Sequence, residues 1–191
     1  MPLGPQFEKA LLYATRLHAL QTRKASDIPY IAHLLGVTSL VLEDGGGEDE
    51  AIAALLHDAI EDQGGAATRE EIRRRFGDQI TAWVDACTDS ETTPKPPWRE
   101  RKQRLLDQAR QAPPEVRRVL AADKLHNIRS VINDYRRLGD AIWSRFTEGK
   151  LGTLWFYRAM GDILEAGAPS QLVEQLQREV VELERLVGEL S

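Results

Sequence analysis

Leu55–Gly65 reads LLHDAIEDQGG. Two leucines lead into His57 and Asp58, Glu61 and Asp62 follow one helical turn later, and two glycines close the segment. The run Ala53, Ala54, Leu55, Leu56 sends this stretch toward a core. Apolar spacing predicts a helix from Glu48 to Ile60. A helix turns by about 100° per residue, so positions three and four apart share a face. On that reading His57, Asp58, Glu61 and Asp62 crowd one side. Carboxylates packed so closely repel one another when ionised and partly desolvated. A divalent cation removes that penalty, and neutral imidazole with carboxylate suits a hard or borderline ion. For this stretch taken alone, a solvated acidic helix face is the plain alternative.

The rest of the chain reads as all-α. Helical periodicity runs from Phe7 to Leu20, from His33 to Glu43, and again from Asp78 to Cys87. Thr68 with Glu71 has the form of a capping box opening a short helix that Gly77 ends. Ser90 to Trp98 is a loop, because Pro94, Pro96 and Pro97 cannot sit inside a helix. Helices resume from Arg99 to Ala112 and from Glu115 to Tyr135, with Pro113 and Pro114 at the start of the second. Two more are expected at Gly139–Phe146 and Gly149–Ala166. Residues 1–168 then form the main domain and 169–191 an amphipathic C-terminal helix. In that helix Val173, Leu176, Val180, Leu183, Val187 and Leu190 make a heptad-like seam. It docks on its own domain or, on the sharper reading, makes a homodimer.

Composition narrows the function. At 191 residues and 42% apolar the chain can bury a proper core. A net charge of -5 argues against bulk nucleic-acid binding, while a few local cations or a metal could still hold an anionic small molecule. Cys87 is the one cysteine, so neither an internal disulfide nor a cysteine-based zinc site is open to the chain. No signal-peptide pattern and no membrane-length apolar run is present, so the expectation is a cytoplasmic protein with no membrane partner.

Two further stretches join the first. PYIAHLLGV places His33 near the start of a helix, 24 residues before His57. LAADKLHNIRS places Asp123 in an apolar helix beside Leu120, Ala121, Ala122 and Leu125. A carboxylate there needs a partner. Adjacent helix positions do not face each other, which makes Lys124 a poor one and a metal a better one. Asn127 and Ser130 lie on the Asp123 face.

With these stations in order the chain resembles the HD-domain phosphohydrolases. Among them it is most similar to the alarmone-hydrolase branch, the hydrolase domains of RelA/SpoT homologues and the free-standing small alarmone hydrolases. The resemblance rests on RKASDIPYIAHLLGV, AALLHDAIEDQGG, EEIRRRFGDQITAWVDACTD and AADKLHNIRSV, spanning Arg23 to Val131. It implies an HD-domain helical bundle with His33, His57, Asp58 and Asp123 as metal ligands and manganese as the ion. It implies Glu61 and Asp62 as the acids that activate and orient water, with Glu61 preferred as the base. Asn127 would contact the substrate sugar, with Ser130 on the same face, and Arg23 and Lys24 would approach the base or phosphates. For Arg23 and Lys24 an exposed helix end is the alternative. The implied reaction is removal of the 3′-pyrophosphate of (p)ppGpp, giving GDP or GTP and pyrophosphate. No synthetase domain is expected before Ser191, so the expectation is a hydrolase alone. Leu34 departs from the proline that commonly follows the first histidine. The aromatic stretch of Trp143, Phe146, Trp155, Phe156 and Tyr157 also departs, reading either as core packing or as a purine-stacking wall. It keeps open another nucleotide substrate, such as NADPH or an adenosine alarmone, and a non-enzymatic nucleotide sensor stands as a third class. His126 reads as a packing or ligand-supporting residue, and His18 and Cys87 as residues without chemistry.

Overall fold

The computed structural model describes residues 2–24, 26–92, 94–167 and 169–188. It is helical throughout, with no strand among the described residues and a lone antiparallel bridge between Thr22 and Pro29. The helices are α1 (Pro5–Leu17), α2 (Ile31–Glu43), α3 (Glu48–Leu56), α4 (Ala59–Asp62), α5 (Ala66–Cys87), α6 (Trp98–Gln111), α7 (Pro114–Leu138), α8 (Gly149–Gly167) and α9 (Gln171–Leu186), with a 3-10 turn at Gly139–Arg145. No helix of the described residues is long and apolar enough to cross a membrane.

The core follows the apolar stripes. Leu34 of α2, Ile52, Leu55 and Leu56 of α3, Ile60, Ile72, and Leu120, Leu125 and Ile128 of α7 are fully buried. Helix α7 is central, packing against α2, α5, α8 and α9. Fixed φ makes proline tolerable in a first turn, and Pro5 and Pro114 each sit in one. Helix α9 lays Leu176, Val180 and Leu183 on α7 and α8. Arg129 to Glu179 (3.1 Å) and Arg136 to Glu182 (2.8 Å) flank that contact. Leu190, the last position of the expected seam, lies outside the described residues.

Several expectations are corrected. Helix α1 stops at Leu17, and Leu20 is fully exposed. Gly139–Arg145 is 3-10 rather than α. Thr68 is not an N-cap: α5 begins at Ala66 behind Gly65 at φ 56°, and the buried Thr68 hydroxyl donates to the Gln63 carbonyl. Glu71 pairs with Arg74 and Arg75 instead of capping. Gly77 does interrupt the helix, at φ 86° and ψ 173°, a conformation that excludes most side chains. The continuous helix from Glu48 to Ile60 is also absent. It ends at Leu56 and resumes at Ala59, with Asp58 between at φ -99° and ψ -1°.

Candidate metal centre

His57 and Asp58 sit at the junction of α3 and α4, both with near-helical backbone angles. Asp58, Glu61 and Asp62 therefore stay on one side and line one cavity, as the periodicity suggested, with His57 buried beside Asp58. His33 arrives from α2 and Asp123 from α7. Ligand atoms of His33, His57 and Asp58 lie within 4.8 Å of one another. His57 Nε2 is 3.0 Å from Asp58 Oδ2 and 3.6 Å from Asp123 Oδ1. His33 Nε2 is 3.6 Å and 3.2 Å from the same two oxygens. Both imidazole nitrogens are buried, yet neither makes a hydrogen bond of acceptable geometry with its carboxylate neighbours. Both are close to the same two carboxylate oxygens and satisfied by neither, which fits a cation between them better than a pair of ion pairs.

The opposite ring nitrogens are committed. His57 Nδ1 donates to the Ala54 carbonyl at 2.8 Å, leaving Nε2 as the free lone pair when the ring is neutral. His33 Nδ1 is 2.9 Å from His126 Nδ1. Burial, with the charges of His33 and Arg23, pushes the His126 pKa down to about 4, so it is neutral and can accept that hydrogen bond. Tyr30 donates its hydroxyl to Asp58 Oδ2 at 2.5 Å, and Asn127 Nδ2 donates to Asp123 Oδ1 at 2.5 Å. Burial disfavours charge on His57, but Asp58 and Asp123 outweigh it and raise its pKa well above the ordinary value. Burial likewise opposes ionisation of Asp58 and Asp123. It is outweighed by the histidines, and at Asp123 first by Lys124, so both carboxyls sit well below the usual range.

Lys124 is a correction. Its ammonium does reach Asp123, because a long side chain can curl back to a neighbour that a short one could not. The carboxylates of α4 find separate partners. Glu61 accepts from Lys95 Nζ at 2.6 Å and from the Asp89 N–H at 3.1 Å. Asp62 accepts from the Gln21 amide at 2.8 Å, and Gln21 is itself bonded to His18 at 2.7 Å. Arg23 donates to Asn127 at 2.9 Å and approaches Ser130 at 3.4 Å. Lys24 is the predicted residue that the structure does not bring to this cluster: its ammonium goes to the Arg145 carbonyl.

A cavity of ≈190 Å³ opens beside the cluster. Asp58, Glu61, Asp62, Asp89, Lys102, Asp123, Lys124 and Asn127 line it, with Tyr30, Cys87 and Leu105. None of the aromatics at 143–157 does. Trp155 and Phe156 pack around Trp98, Trp143 packs between Tyr135 and Phe146, and Tyr157 is buried. Cys87, which sequence reading left inert, does border the cavity, but burial pushes its thiol pKa far above neutrality. Sequence reasoning also missed Tyr30, Asp89 and Lys102. Tyr30 and Asp89 stand inside two of the quoted motifs, Tyr30 directly before α2 and Asp89 two residues after α5, and that membership was the available signal.

An all-helical bundle that brings His, His-Asp and Asp together beside a cavity lined by charged side chains defines an HD-domain protein. The HD domain family matches residues 10–154, and the chain belongs to that family. HD domains bind divalent metals, and His33, His57 and Asp58 form a group that could hold one. The human guanosine-3′,5′-bis(diphosphate) 3′-pyrophosphohydrolase MESH1 (Homo sapiens) is 37% identical over 129 residues, 66% of this chain and 69% of that protein. A GTP pyrophosphokinase of Streptomyces coelicolor is 38% identical over 130 residues, 66% of this chain and 15% of that much longer protein. The solved structure of a metazoan ortholog of SpoT superposes with a TM-score of 0.77 at 24% identity, covering 100% of this chain and 99% of that one. A solved structure from Listeria monocytogenes gives 0.70 at 28% identity, covering 83% and 99%.

Proposed function

We propose that this chain is a manganese-dependent pyrophosphohydrolase that removes the 3′-pyrophosphate of the guanosine alarmone (p)ppGpp, yielding GDP or GTP and pyrophosphate. The observation that carries the reading is the convergence of His33, His57, Asp58 and Asp123 beside a cavity lined by further acids and lysines. The relatives named as 3′-pyrophosphohydrolases for guanosine-3′,5′-bis(diphosphate) support the substrate.

His33, His57, Asp58 and Asp123 would hold the ion, which when bound lowers the pKa of a coordinated water and offsets phosphoryl charge. The N/O donor set suits manganese. Glu61, pinned by an ammonium and a backbone N–H, orients the attacking water. Asp62 has the neutral Gln21 amide as its donor and keeps freer lone pairs, so we assign the water's proton to Asp62 rather than to Glu61, the base expected from sequence. The water oxygen bonds to the phosphorus on ribose O3′, the P–O3′ bond breaks, and O3′ leaves as a hydroxyl by taking up the proton that Asp62 removed from the water, which returns Asp62 to its carboxylate. Asn127, stretched between Asp123 and Arg23, faces the ribose, with Ser130 behind Arg23.

The test is product analysis after incubating manganese-loaded protein with ppGpp, NADPH and ordinary nucleotides, beside an Asp58→Ala control. Pyrophosphate released from ppGpp and lost in the control is the expected result. Intact ppGpp with turnover of another compound would overturn the substrate. Chelation followed by restoration with manganese, magnesium or zinc tests the ion, and comparing Glu61→Gln with Asp62→Asn separates the roles of the two acids.

A further inference from the structure

Among the carboxylates that line the cavity stand two cations to which the reading above assigns no role. At ≈190 Å³ the cavity is smaller than the ~300–1,000 Å³ of pockets that enclose a whole ligand, so its lining meets the phosphate end of a nucleotide and not its base. Two ammonium groups line it, Lys102 from α6 and Lys124 from α7. Their Nζ atoms lie over the same ring, Phe156, at 5.1 and 5.7 Å from its centre.

What holds each ammonium differs. Lys124 is committed to Asp123, one of the metal-ligating set. Lys102 is 2.9 Å from Asp89 Oδ2, but Arg101 already takes that same oxygen. One carboxylate therefore serves two cations, and the Asp89–Arg101–Lys102 cluster carries a net positive charge. All three side chains are largely buried, at 8%, 13% and 18% exposure, so that surplus is poorly screened by water. Asp89 Oδ1 is buried without a hydrogen-bond partner, so the cluster is not a closed network. Burial and the like charge of Lys124 also lower the Lys102 pKa. An anion between the two lysines relieves both costs.

We propose that Lys102 and Lys124 form an anion subsite for the pyrophosphate group of the substrate, with Lys102 free to leave Asp89 because Arg101 stays to neutralise it. The identity of the anion rests on the pyrophosphohydrolase reading. The subsite itself is tested without turnover, by calorimetric titration of inorganic pyrophosphate into the manganese-loaded full chain. Comparing variants at one free-manganese concentration cancels chelation in solution. Lys102→Met should weaken pyrophosphate binding about tenfold or more, the usual scale of a charge-assisted contact, and flatten its salt dependence. Lys102→Arg should recover most of the loss. Wild-type affinity in Lys102→Met overturns the subsite. Failure of the pyrophosphohydrolase reading shows differently, as no pyrophosphate release by wild-type protein while the titration still responds to Lys102. If Lys102→Met does not fold, Asp89→Asn serves instead. Removing the competing carboxylate should tighten pyrophosphate binding several-fold, and unchanged or weaker binding overturns the proposal.

Discussion

Gly36→Ala should weaken metal binding although Gly36 touches no ligand. It sits on α2 three residues after His33. A Cβ added there would lie 2.4 Å from both Cδ2 and Nε2 of His126, far inside contact distance, so the ring must move. The same ring presents Nδ1 to His33 Nδ1 at 2.9 Å. Displacing it strips His33 of the group that fixes its tautomer and orientation. Losing such a partner typically costs about 10–100-fold in metal affinity, roughly 1.4–2.8 kcal/mol. Helix propensity works the other way, since alanine is better than glycine in a helix interior by about 1 kcal/mol. The two effects separate in a double-mutant cycle with His126→Ala. His126→Ala alone should weaken the metal to a similar degree. Adding Gly36→Ala to it should leave affinity unchanged and raise ion-free stability by about 1 kcal/mol, because the clash is gone. Competition with a fluorescent chelator reads the affinity, and denaturant unfolding of the ion-free protein reads the stability. Wild-type affinity in Gly36→Ala, or effects of the two substitutions that simply add, would refute the reasoning.

Three other outcomes follow from the same geometry. Tyr30→Phe removes the 2.5 Å hydrogen bond to Asp58 and should lower metal affinity about tenfold or more with little change in ion-free stability, checked by the same competition. His57 has a raised pKa because Asp58 and Asp123 outweigh burial. Its contribution to ion-free stability is therefore full below the ordinary value of about 6.5 and fades as pH rises through the raised one. Metal needs the neutral ring, so binding near pH ~6 should release about one proton and tighten about tenfold per pH unit, and calorimetry in buffers of different ionisation enthalpy that finds no release would contradict this. Leu183→Ala empties a fully buried site where α9 meets its own domain and should cost about 2–5 kcal/mol in denaturant unfolding; a cost near zero would mean that α9 is not docked in solution.

Much of this molecule was legible in the sequence, and the division between what was and what was not has a physical basis. Helical class showed through because apolar stripes recur at helical spacing, and Gly77 and the prolines at 94–97 mark boundaries by covalent constraint. Boundaries set by competing local options were missed. Thr68 has cap chemistry, but Gly64 and Gly65, at φ 121° and 56°, let the chain turn earlier and start α5 at Ala66. The break at Asp58 was invisible because no residue there forbids a helix. Side-chain demands on Asp58 from His33, His57 and Tyr30 act only once the other helices have arrived. Asp123 and the acids around His57 stood out because they break a local rule, a carboxylate in or beside an apolar run, whereas His33 breaks none and was reached through the family resemblance. The groups that orient them break none. Gly36 is an ordinary helical glycine and Tyr30 an ordinary aromatic before a helix. Reactive groups betray themselves by what they cost, and the residues that hold them in place are stabilising neighbours that cost nothing locally. A sequence read residue by residue therefore finds the chemistry of this centre before it finds its architecture.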